Sequence, residues 1–447
     1  MIKIQKNIIW LMSLLIVSFA DAQNEQAKHA FSIQQCVEYA SKNNAQVKNA
    51  LVGVQIQQQI NRGVTAMALP TVSANTGVTN YIDIPTSLIP GQIFGQPAGT
   101  YIPVQFGTKF NANAGLQLQQ VLFDGQVFVG LQARATSIEY QKKNAEVTEE
   151  NIKVNIYKVY YQLVVSKTQV EILDANIARI EKLLHDTKEL YKNGFAEKLD
   201  VDKLSVQLSN QQTEKLKTLN NIEIGYLGLK TLLGMPVKDE LVLTDKITEE
   251  QIKNGLADTV YDYNQRKEFQ YLNIVKKLND YNIKRYQLSY YPTLSLTGSY
   301  NKNAQRNTFD FFGPGDWYTT SYLALNIAIP IFDGFYKDSK VKQSRFELQQ
   351  IVNNIDNLKL SIDNDVEQAK IRFRSAIVTM DNQKKNMELA ESVYNQTKKK
   401  FEAGTGSNTE ISTAQTDLIA AQTNYISATY DAVVAKVDYY KAIGKLQ

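Results

Sequence analysis

Residues 109–125 read KFNANAGLQLQQVLFDG, in which apolar and uncharged polar side chains alternate before a closing Phe-Asp-Gly. Alternation with period two over about ten residues, apolar on one face and uncharged polar on the other, is typical of a transmembrane barrel strand. A soluble antiparallel sheet is the alternative, but its solvent-facing side normally carries charged residues. Residues 72–81, 294–301 and 323–329 alternate in a similar way. The sequence therefore predicts four strands, at about 71–81, 109–123, 293–301 and 321–332.

The chain contains an internal duplication. Its landmarks recur in pairs: Phe123-Asp124-Gly125 with Phe332-Asp333-Gly334, Tyr191-x-x-Gly194 with Phe401-x-x-Gly404, and Gly234 with Gly444. From the triplet to the middle glycine the interval is 71 residues in the first copy and 72 in the second, and the last glycine follows 40 residues later in both. Solenoid repeats are much shorter, at roughly 20–50 residues. The sequence thus predicts two copies of a large β-β-α hairpin unit, repeat 1 at 23–235 and repeat 2 at 264–447, each opening with a helix.

Two long segments lack proline, one between Pro103 and Pro236 and one after Pro330. Proline is excluded from helix interiors because it lacks the N–H and clashes with the preceding turn. Apolar residues recur every seven residues over 152–184 and again over 362–394, which is coiled-coil spacing. A single helix over the first segment would measure roughly 100 Å at about 1.5 Å per residue. These patterns predict long helical hairpins at 126–233 and 335–443.

The N-terminus resembles an export signal. Lys3 and Lys6 precede an apolar run from Ile8 to Phe19, and Ala20-Asp21-Ala22 follows as a small-residue cleavage site. A short membrane anchor is the alternative, but this run is too short for a helix that spans about 30 Å of hydrocarbon. The sequence predicts a signal peptide at 1–22, cleaved after Ala22.

Composition excludes several classes of function. The net charge is +4 over 447 residues with both signs interspersed, so nothing indicates a nucleic-acid partner. Cys36 is the only cysteine, and the two histidines, His29 and His185, lie far apart in the sequence. No phosphate-binding loop, nucleophile elbow or zinc-protease motif is present. We therefore expect neither an enzyme nor a bound cofactor or metal.

Four strands cannot stand alone in a bilayer, because an open sheet leaves unpaired backbone groups in hydrocarbon. The sheet must therefore close by the addition of further copies of the chain. Two copies of the chain would supply eight strands, and the interior of an eight-stranded barrel is about filled by side chains. Three copies would supply twelve, the smallest multiple of four that leaves a lumen. The uncharged polar strand faces would then line the pore.

These landmarks resemble those of the TolC-like outer-membrane efflux proteins over about residues 23–447. The resemblance rests on the Ser-Ile-Gln-Gln-Cys segment at 32–36, the Leu-Pro-Thr and Tyr-Pro-Thr strand entries at 69–71 and 291–293, the strand exit at 329–334, and the order and spacing of the paired turns. It implies a mainly α-helical chain that gives four strands to a twelve-stranded barrel of three copies, continued by a long periplasmic helical tunnel.

The resemblance also implies the surroundings of the protein. It would lie in the outer membrane of a Gram-negative bacterium, in contact with outer-membrane lipid and with most of its mass in the periplasm. Its partners would be two further copies of itself, a periplasmic adaptor protein and an inner-membrane pump of the RND, ABC or MFS type.

The paired tyrosine or phenylalanine and glycine turns would form the periplasmic tips of the hairpins. Their glycines suit a tight reversal that needs a positive φ. By resemblance, Tyr191, Gly194, Gly404 and Gly406 would lie where the adaptor binds.

The resemblance places a gate near the same tips, at Asp200, Glu410 and Phe401, and implies that the acid of the second repeat, Glu410, is the one that faces the pore. Three Glu410 carboxylates converging on the pore axis would favour cations. The alternative is that Asp200 and Glu410 simply place negative charge near a helix N-terminus. The type example of the family has a second acid where this chain has Thr413, and an arginine where it has Gly406. The entrance is therefore expected to be less acidic and closed by different contacts.

The predicted function is the exit duct of a tripartite efflux pump. Two alternatives stay open: a duct for type I protein secretion, and, in a different class, a soluble periplasmic coiled-coil scaffold or adaptor. Residues 236–263 form a polar connection between the repeats, expected at the equator of the tunnel, and their sequence indicates no role.

Overall fold

The structure is a computed structural model that describes residues 28–255 and 260–446. The predicted signal peptide and its cleavage site after Ala22 lie outside the described residues. Within the described part, no helix has both the length and the apolar character needed to cross a membrane.

Eight α-helices and eight strands make up the described chain. The helices are α1 (Ile33–Asn43), α2 (Ala45–Ala66), α3 (Gly125–Lys192), α4 (Lys198–Leu233), α5 (Glu249–Lys253), α6 (Lys267–Leu288), α7 (Tyr336–Glu402) and α8 (Asn408–Ala442). The strands are β1 (Lys28–Phe31), β2 (Thr71–Asn80), β3 (Thr86–Pro90), β4 (Tyr101–Gln105), β5 (Phe110–Phe123), β6 (Glu240–Leu243), β7 (Thr293–Arg306) and β8 (Tyr318–Ala328). The two longest helices, α3 with 68 residues and α7 with 67, occupy equivalent places in the two repeats.

The chain forms two compact units, and each draws on both repeats. The sheet unit comprises residues 54–140 and 273–353, and the helical unit comprises the described residues of 1–53, 141–272 and 354–447. The repeats visible in the sequence are therefore not the compact units. The reason is that β5 of repeat 1 pairs with β7 of repeat 2, which joins the strands of both repeats in one sheet.

The sheet unit contains a four-stranded antiparallel sheet in the order β2-β5-β7-β8. β7 continues to Arg306, past its predicted end at residue 301, because residues 302–306 still pair with β5. β8 spans Tyr318–Ala328 rather than 321–332. Ala328 pairs with Thr293, the first residue of β7, so the strand ends where its partner begins.

A second, two-stranded hairpin lies within the segment between β2 and β5. None of the four predicted strands falls there, but β3 and β4 pair antiparallel from Thr86–Gln105 to Pro90–Tyr101. The Gly91 N–H donates to the Thr100 carbonyl at 2.7 Å and closes the hairpin. Prolines in both strands break the alternation, which hides the hairpin from a reading of hydrophobic periodicity.

The helical unit is built on the two seven-residue apolar repeats. Every member of the repeat over 152–184 and of the repeat over 362–394 is buried or half-buried. In repeat 1 the members Ile156 and Ile180 are fully buried, and in repeat 2 Ile362, Phe373 and Met380 are. These positions form the interior seam of the long helices, as the spacing predicts.

A buried polar contact holds the segment around Phe31 against α3. The Tyr160 hydroxyl donates to the Phe31 carbonyl at 3.2 Å and accepts from the Asp245 N–H at 3.2 Å. One Asp245 carboxylate oxygen accepts from the Ile33 N–H at the start of α1, at 2.8 Å. The parallel pairing of β1 with β6 lies beside this contact, so residues 28–33 and 240–245 are held together.

The only cysteine lies inside this core, and we expect it to be inert in the native protein. Cys36 is fully buried, and burial, followed by the charge of Asp245, raises the pKa of its thiol to about 12. Since the thiolate is the reactive species, a maleimide should not label the native protein at neutral pH but should label it after unfolding. Rapid labelling of the native protein would contradict this packing.

Candidate functional site

The register of the four-stranded sheet places its apolar residues on one face. One row across the sheet reads Val72, Leu118, Gly298 and Leu323, and other pairs on the same face are Ala74 with Leu116 and Leu296 with Leu325. The side chains are also open to the surroundings: Leu323 is 76% exposed and Leu325 59%. A large exposed apolar face of this kind marks a membrane or protein contact.

The opposite face of the same sheet is polar and carries no charged residue. Its rows read Ser73, Gln117, Ser299 and Tyr322, then Thr71, Gln119, Thr297 and Ala324. The Asn326 amide donates to the Thr297 hydroxyl at 3.0 Å. The charged residues of the four strands, Lys302 and Arg306, share the apolar face, near the end where residues 81–109 and 307–317 connect the strands. We call this the loop end of the sheet.

The two edge strands, β2 and β8, each pair on one side only. Because neighbouring strands alternate in direction along β2-β5-β7-β8, the two edges run in opposite directions. A second copy placed edge to edge would therefore meet β8 with an antiparallel β2. The sheet can be extended by further copies with no change in its antiparallel pattern.

The predicted strand-to-helix turns share an aspartate cap. At the first turn the Gln126 N–H donates to the Asp124 carboxylate at 2.8 Å, and at the second the Lys337 N–H donates to Asp333 at 3.0 Å. Such side-chain acceptors satisfy the free N–H groups at the start of a helix. Phe123 and Phe332, which precede the aspartates, are exposed.

The glycines of these two turns have different roles. A Cβ on Gly125 would lie 2.6 Å from the Leu288 carbonyl oxygen, so this glycine permits a close backbone approach. Gly334 has open space around it but a φ of +66°, and the following Phe335 also has a positive φ of 64°. The same sequence motif therefore serves packing in repeat 1 and backbone conformation in repeat 2.

The predicted hairpin tips are left-handed glycine turns. Gly194 and Gly404 have φ values of 78° and 73°. The Gly194 N–H donates to the Tyr191 carbonyl and the Gly404 N–H to the Phe401 carbonyl, both at 3.0 Å. The Gly406 N–H donates to the Lys400 carbonyl at 3.0 Å, which extends the second turn. These bonds satisfy the last carbonyls of α3 and α7 and reverse the chain.

The predicted gate residues lie beside these turns, and both acids cap helices. The Ser407 N–H donates to the Glu410 carboxylate at 3.3 Å, while the Glu410 N–H donates to the Ser407 hydroxyl at 3.1 Å. Asp200 accepts from the Glu197 N–H at 3.4 Å. Both acids thus lie at a helix N-terminus, and each accepts a hydrogen bond from the N–H of the residue that precedes the helix.

An apolar cluster joins the two tips. Leu183, Leu184 and Leu204 of the first hairpin pack with Tyr394 and Ile411 of the second. Phe401 packs against this cluster and is half-buried, whereas Tyr191 is 45% exposed. Of the three predicted gate residues, Phe401 thus contacts the packed interior, and Glu410 is exposed.

Sequence reasoning missed a buried polar layer between the hairpins. Asn176 is 1% exposed; its amide donates to Gln422 at 2.9 Å, and its carbonyl oxygen accepts from Arg179 at 2.8 Å and from Gln415 at 3.5 Å. A buried polar side chain in a coiled coil fixes the register of the helices. No signal in the sequence marks it, because Asn176 lies beside the seven-residue seam rather than on it.

The connection between the repeats, which the sequence left without a role, is tied to the second hairpin. Glu249 accepts hydrogen bonds from Lys384 at 2.7 Å and from Tyr425 at 2.9 Å, and the bond from Lys384 holds the pKa of its carboxyl below the usual value. The Tyr261 and Tyr263 hydroxyls both donate to Asp363, at 2.6 and 2.7 Å. The described residues contain no group of three metal-ligating side chains.

An open sheet with one apolar and one uncharged polar face, together with two pairs of long helices, has the architecture of a membrane channel whose sheet is completed by further copies. The family described as "Outer membrane efflux protein" matches residues 273–445. Outer membrane protein TolC of Vibrio cholerae is 20% identical over 336 residues, 75% of this chain and 77% of that protein. Proteases secretion protein PrtF of Dickeya chrysanthemi is 18% identical over 249 residues, 54% of this chain and 53% of that protein.

The fold also matches solved structures over nearly its whole length. The crystal structure of CusC, described with reference to transmembrane channel formation, has a TM-score of 0.77 at 14% identity and covers 95% of each chain. Residues 273–445 thus match the outer-membrane efflux proteins by sequence, and the chain as a whole resembles the TolC-like channels in sequence and fold. It is an outer-membrane channel protein rather than an enzyme, and the predicted fold class is confirmed.

Proposed function

We propose that this chain is the exit duct of a tripartite efflux pump, which lets small molecules pass passively from the periplasm and an inner-membrane pump to the exterior. The observation that carries the proposal is the sheet: four strands with an apolar face, an uncharged polar face and two free, oppositely directed edges. Free edges cannot persist in hydrocarbon, so the sheet must close on further copies.

Three copies are the assembly that fits this sheet. Eight strands would leave an interior about filled by side chains, whereas twelve would enclose a lumen. The polar face would line that lumen, and the apolar face would contact lipid. A wall of Asn, Gln, Ser and Thr offers hydrogen bonds without fixed charge, so this part of the passage adds no charge selectivity to that of the entrance.

The hairpin tips supply the proposed contact with a periplasmic adaptor. Around the first tip, Phe195 is 81% exposed, Leu199 55% and Tyr191 45%. Exposed apolar side chains at the end of a helical hairpin fit a protein partner rather than water. An adaptor bound there would join the duct to an inner-membrane pump of the RND, ABC or MFS type.

Type I protein secretion is the second candidate, and the similarity to PrtF, a proteases secretion protein, favours it. Disruption of the gene separates the two functions. Efflux predicts increased retention of a fluorescent dye and unchanged secreted proteins, whereas secretion predicts loss of one or more secreted proteins with unchanged dye retention. Resupply of the wild-type gene should reverse either effect.

The entrance residue Glu410 gives a sharper prediction. We expect Glu410→Gln to lower the preference of the open channel for cations, because three carboxylates near one axis would be neutralised. A glutamine can still accept from the Ser407 N–H, so the helix cap is kept and the change isolates charge. The measurement is the reversal potential of single channels in a salt gradient.

Asp200→Asn is the matched control for that measurement. Asp200 caps α4 at the equivalent place in repeat 1, and the resemblance places only the second-repeat acid at the pore. Its replacement should therefore change selectivity less. Unchanged selectivity in Glu410→Gln would refute the gate assignment and leave the duct proposal standing.

A further inference from the structure

Two exposed apolar segments lie at the loop end of the sheet, one next to each edge strand. Residues 84–108, which we call the arm, follow β2 and contain the β3–β4 hairpin. Residues 307–317, which we call the aromatic loop, precede β8. Each edge strand through which copies would join is thus continued along the chain by an apolar segment.

The arm has the composition of a contact surface rather than of a solvated loop. Its 25 residues, from Ile84 to Thr108, include no charged side chain. Five large side chains are more than half exposed: Leu88, Ile93, Phe94, Tyr101 and Phe106. Pro90 and Pro103 stand in its two strands and block the addition of a further strand. A partner must therefore bind through side chains.

The aromatic loop is anchored by Phe311 and exposes two other phenylalanines. Phe311 is buried against Ala112 and Ala304, with the Trp317 ring 6.3 Å away and the Arg306 guanidinium over its face at 5.5 Å. This anchor leaves Phe312 97% exposed and Phe309 60% exposed. Phe309 contacts the Phe110 and Phe311 rings, at 5.8 and 5.6 Å between centroids, and still presents most of its surface, while Phe312 is almost wholly uncovered in the isolated chain.

The direction of the edge strands brings the two surfaces together. β2 runs toward the loop end and β8 begins there, so the loop ends coincide when β8 of one copy lies beside β2 of the next. We propose that the arm of one copy packs over Phe309 and Phe312 of its neighbour. This inference rests on the closure by several copies given under Proposed function.

A second copy fits the arm better than a lipid surface or a foreign protein. An uncharged arm has nothing to attract anionic lipid headgroups, and symmetry copies of it meet without like-charge repulsion. Because the arm follows β2 and the aromatic loop precedes β8, both segments adjoin the same junction between two copies. The contact would bury apolar surface at the loop end of each junction, which hydrogen bonding between the edge strands alone does not do.

Cysteine cross-linking tests the contact in the full-length protein. Phe312→Cys is combined with Leu88→Cys in one variant and with Phe106→Cys in another, and the membranes are treated with a short bis-maleimide. The native Cys36 is buried and does not compete. The matched control combines Phe312→Cys with Phe335→Cys at the opposite end of the sheet, where Phe335 is 69% exposed, close to the 65% of Leu88 and the 62% of Phe106.

The expected result is conversion of the monomer band to dimers and trimers in at least one arm variant, and none in the control or in the single-cysteine variants. Light scattering of the untreated protein is measured first. If light scattering shows a trimer but both arm variants give only the monomer band after cross-linking, the arm contact is refuted and the duct proposal stands. Absence of any trimer overturns both. Quenching of a dye on Phe312→Cys by nitroxide-labelled lipids would place the loop against lipid and also overturn the contact.

Discussion

Arginine at Leu325 is expected to abolish stable insertion into the outer membrane, whereas arginine at the adjacent Asn326 is expected to be tolerated. The two residues are neighbours on β8 but point to opposite faces of the sheet. Leu325 pairs with Leu296 on the apolar face, and Asn326 pairs with Ser295 on the polar face. An arginine on a lipid-facing strand costs about 2–4 kcal/mol near the bilayer midplane, and three copies would multiply that cost.

The measurement compares the amount of each variant that fractionates with the outer membrane as a heat-modifiable trimer. Asn326→Arg should reach the wild-type amount and should shift channel selectivity toward anions, because the added charge would line the lumen. Equal loss in both variants would mean that the two faces do not differ in environment. A normal amount of Leu325→Arg would show that the apolar face does not contact lipid.

Replacement of Gly234 by alanine is expected to be strongly destabilising. Gly234 ends α4 with a φ of +70°, and its N–H donates to the Thr231 carbonyl at 3.1 Å. A Cβ there would lie 2.4 Å from the Asn43 carbonyl oxygen, so the backbone between α1 and α2 would have to move. Left-handed strain and overpacking together should lower the free energy of unfolding by about 2–5 kcal/mol.

Gly228→Ala provides the control within the same helix. Gly228 lies in the interior of α4, and its Cβ would meet no atom within 4 Å. Alanine there should stabilise the helix by about 0.5–1 kcal/mol. Thermal unfolding in detergent, followed by far-ultraviolet circular dichroism, compares the two. A Gly234→Ala protein that unfolds at the wild-type temperature would contradict the close approach.

Those parts of the fold that follow from local periodicity could be predicted from the sequence. The alternation over 109–119 and the seven-residue repeats over 152–184 and 362–394 report directly which side chains face the interior or share a face. Strand ends depend instead on partners that are distant in sequence, so β7 extends to Arg306 opposite Phe110. The β3–β4 hairpin was missed because its prolines interrupt the alternation.

The candidate site was predictable in position but not in chemistry. The paired glycines mark the tips because only a positive φ reverses the chain there, and both glycines adopt it. The capping of Glu410 by Ser407 could also be read from their spacing, but nothing local indicates the buried layer around Asn176. That layer exists because α3 and α8 meet, and the register between these two helices is not encoded in either segment alone.

Single-channel conductance of the purified protein in a planar bilayer tests the central claim most directly. The account predicts discrete conductance steps from a detergent-solubilised trimer, with a preference for cations that Glu410→Gln reduces. A protein that stays in solution without detergent, does not insert and gives no steps would contradict the closure of the sheet into a membrane channel.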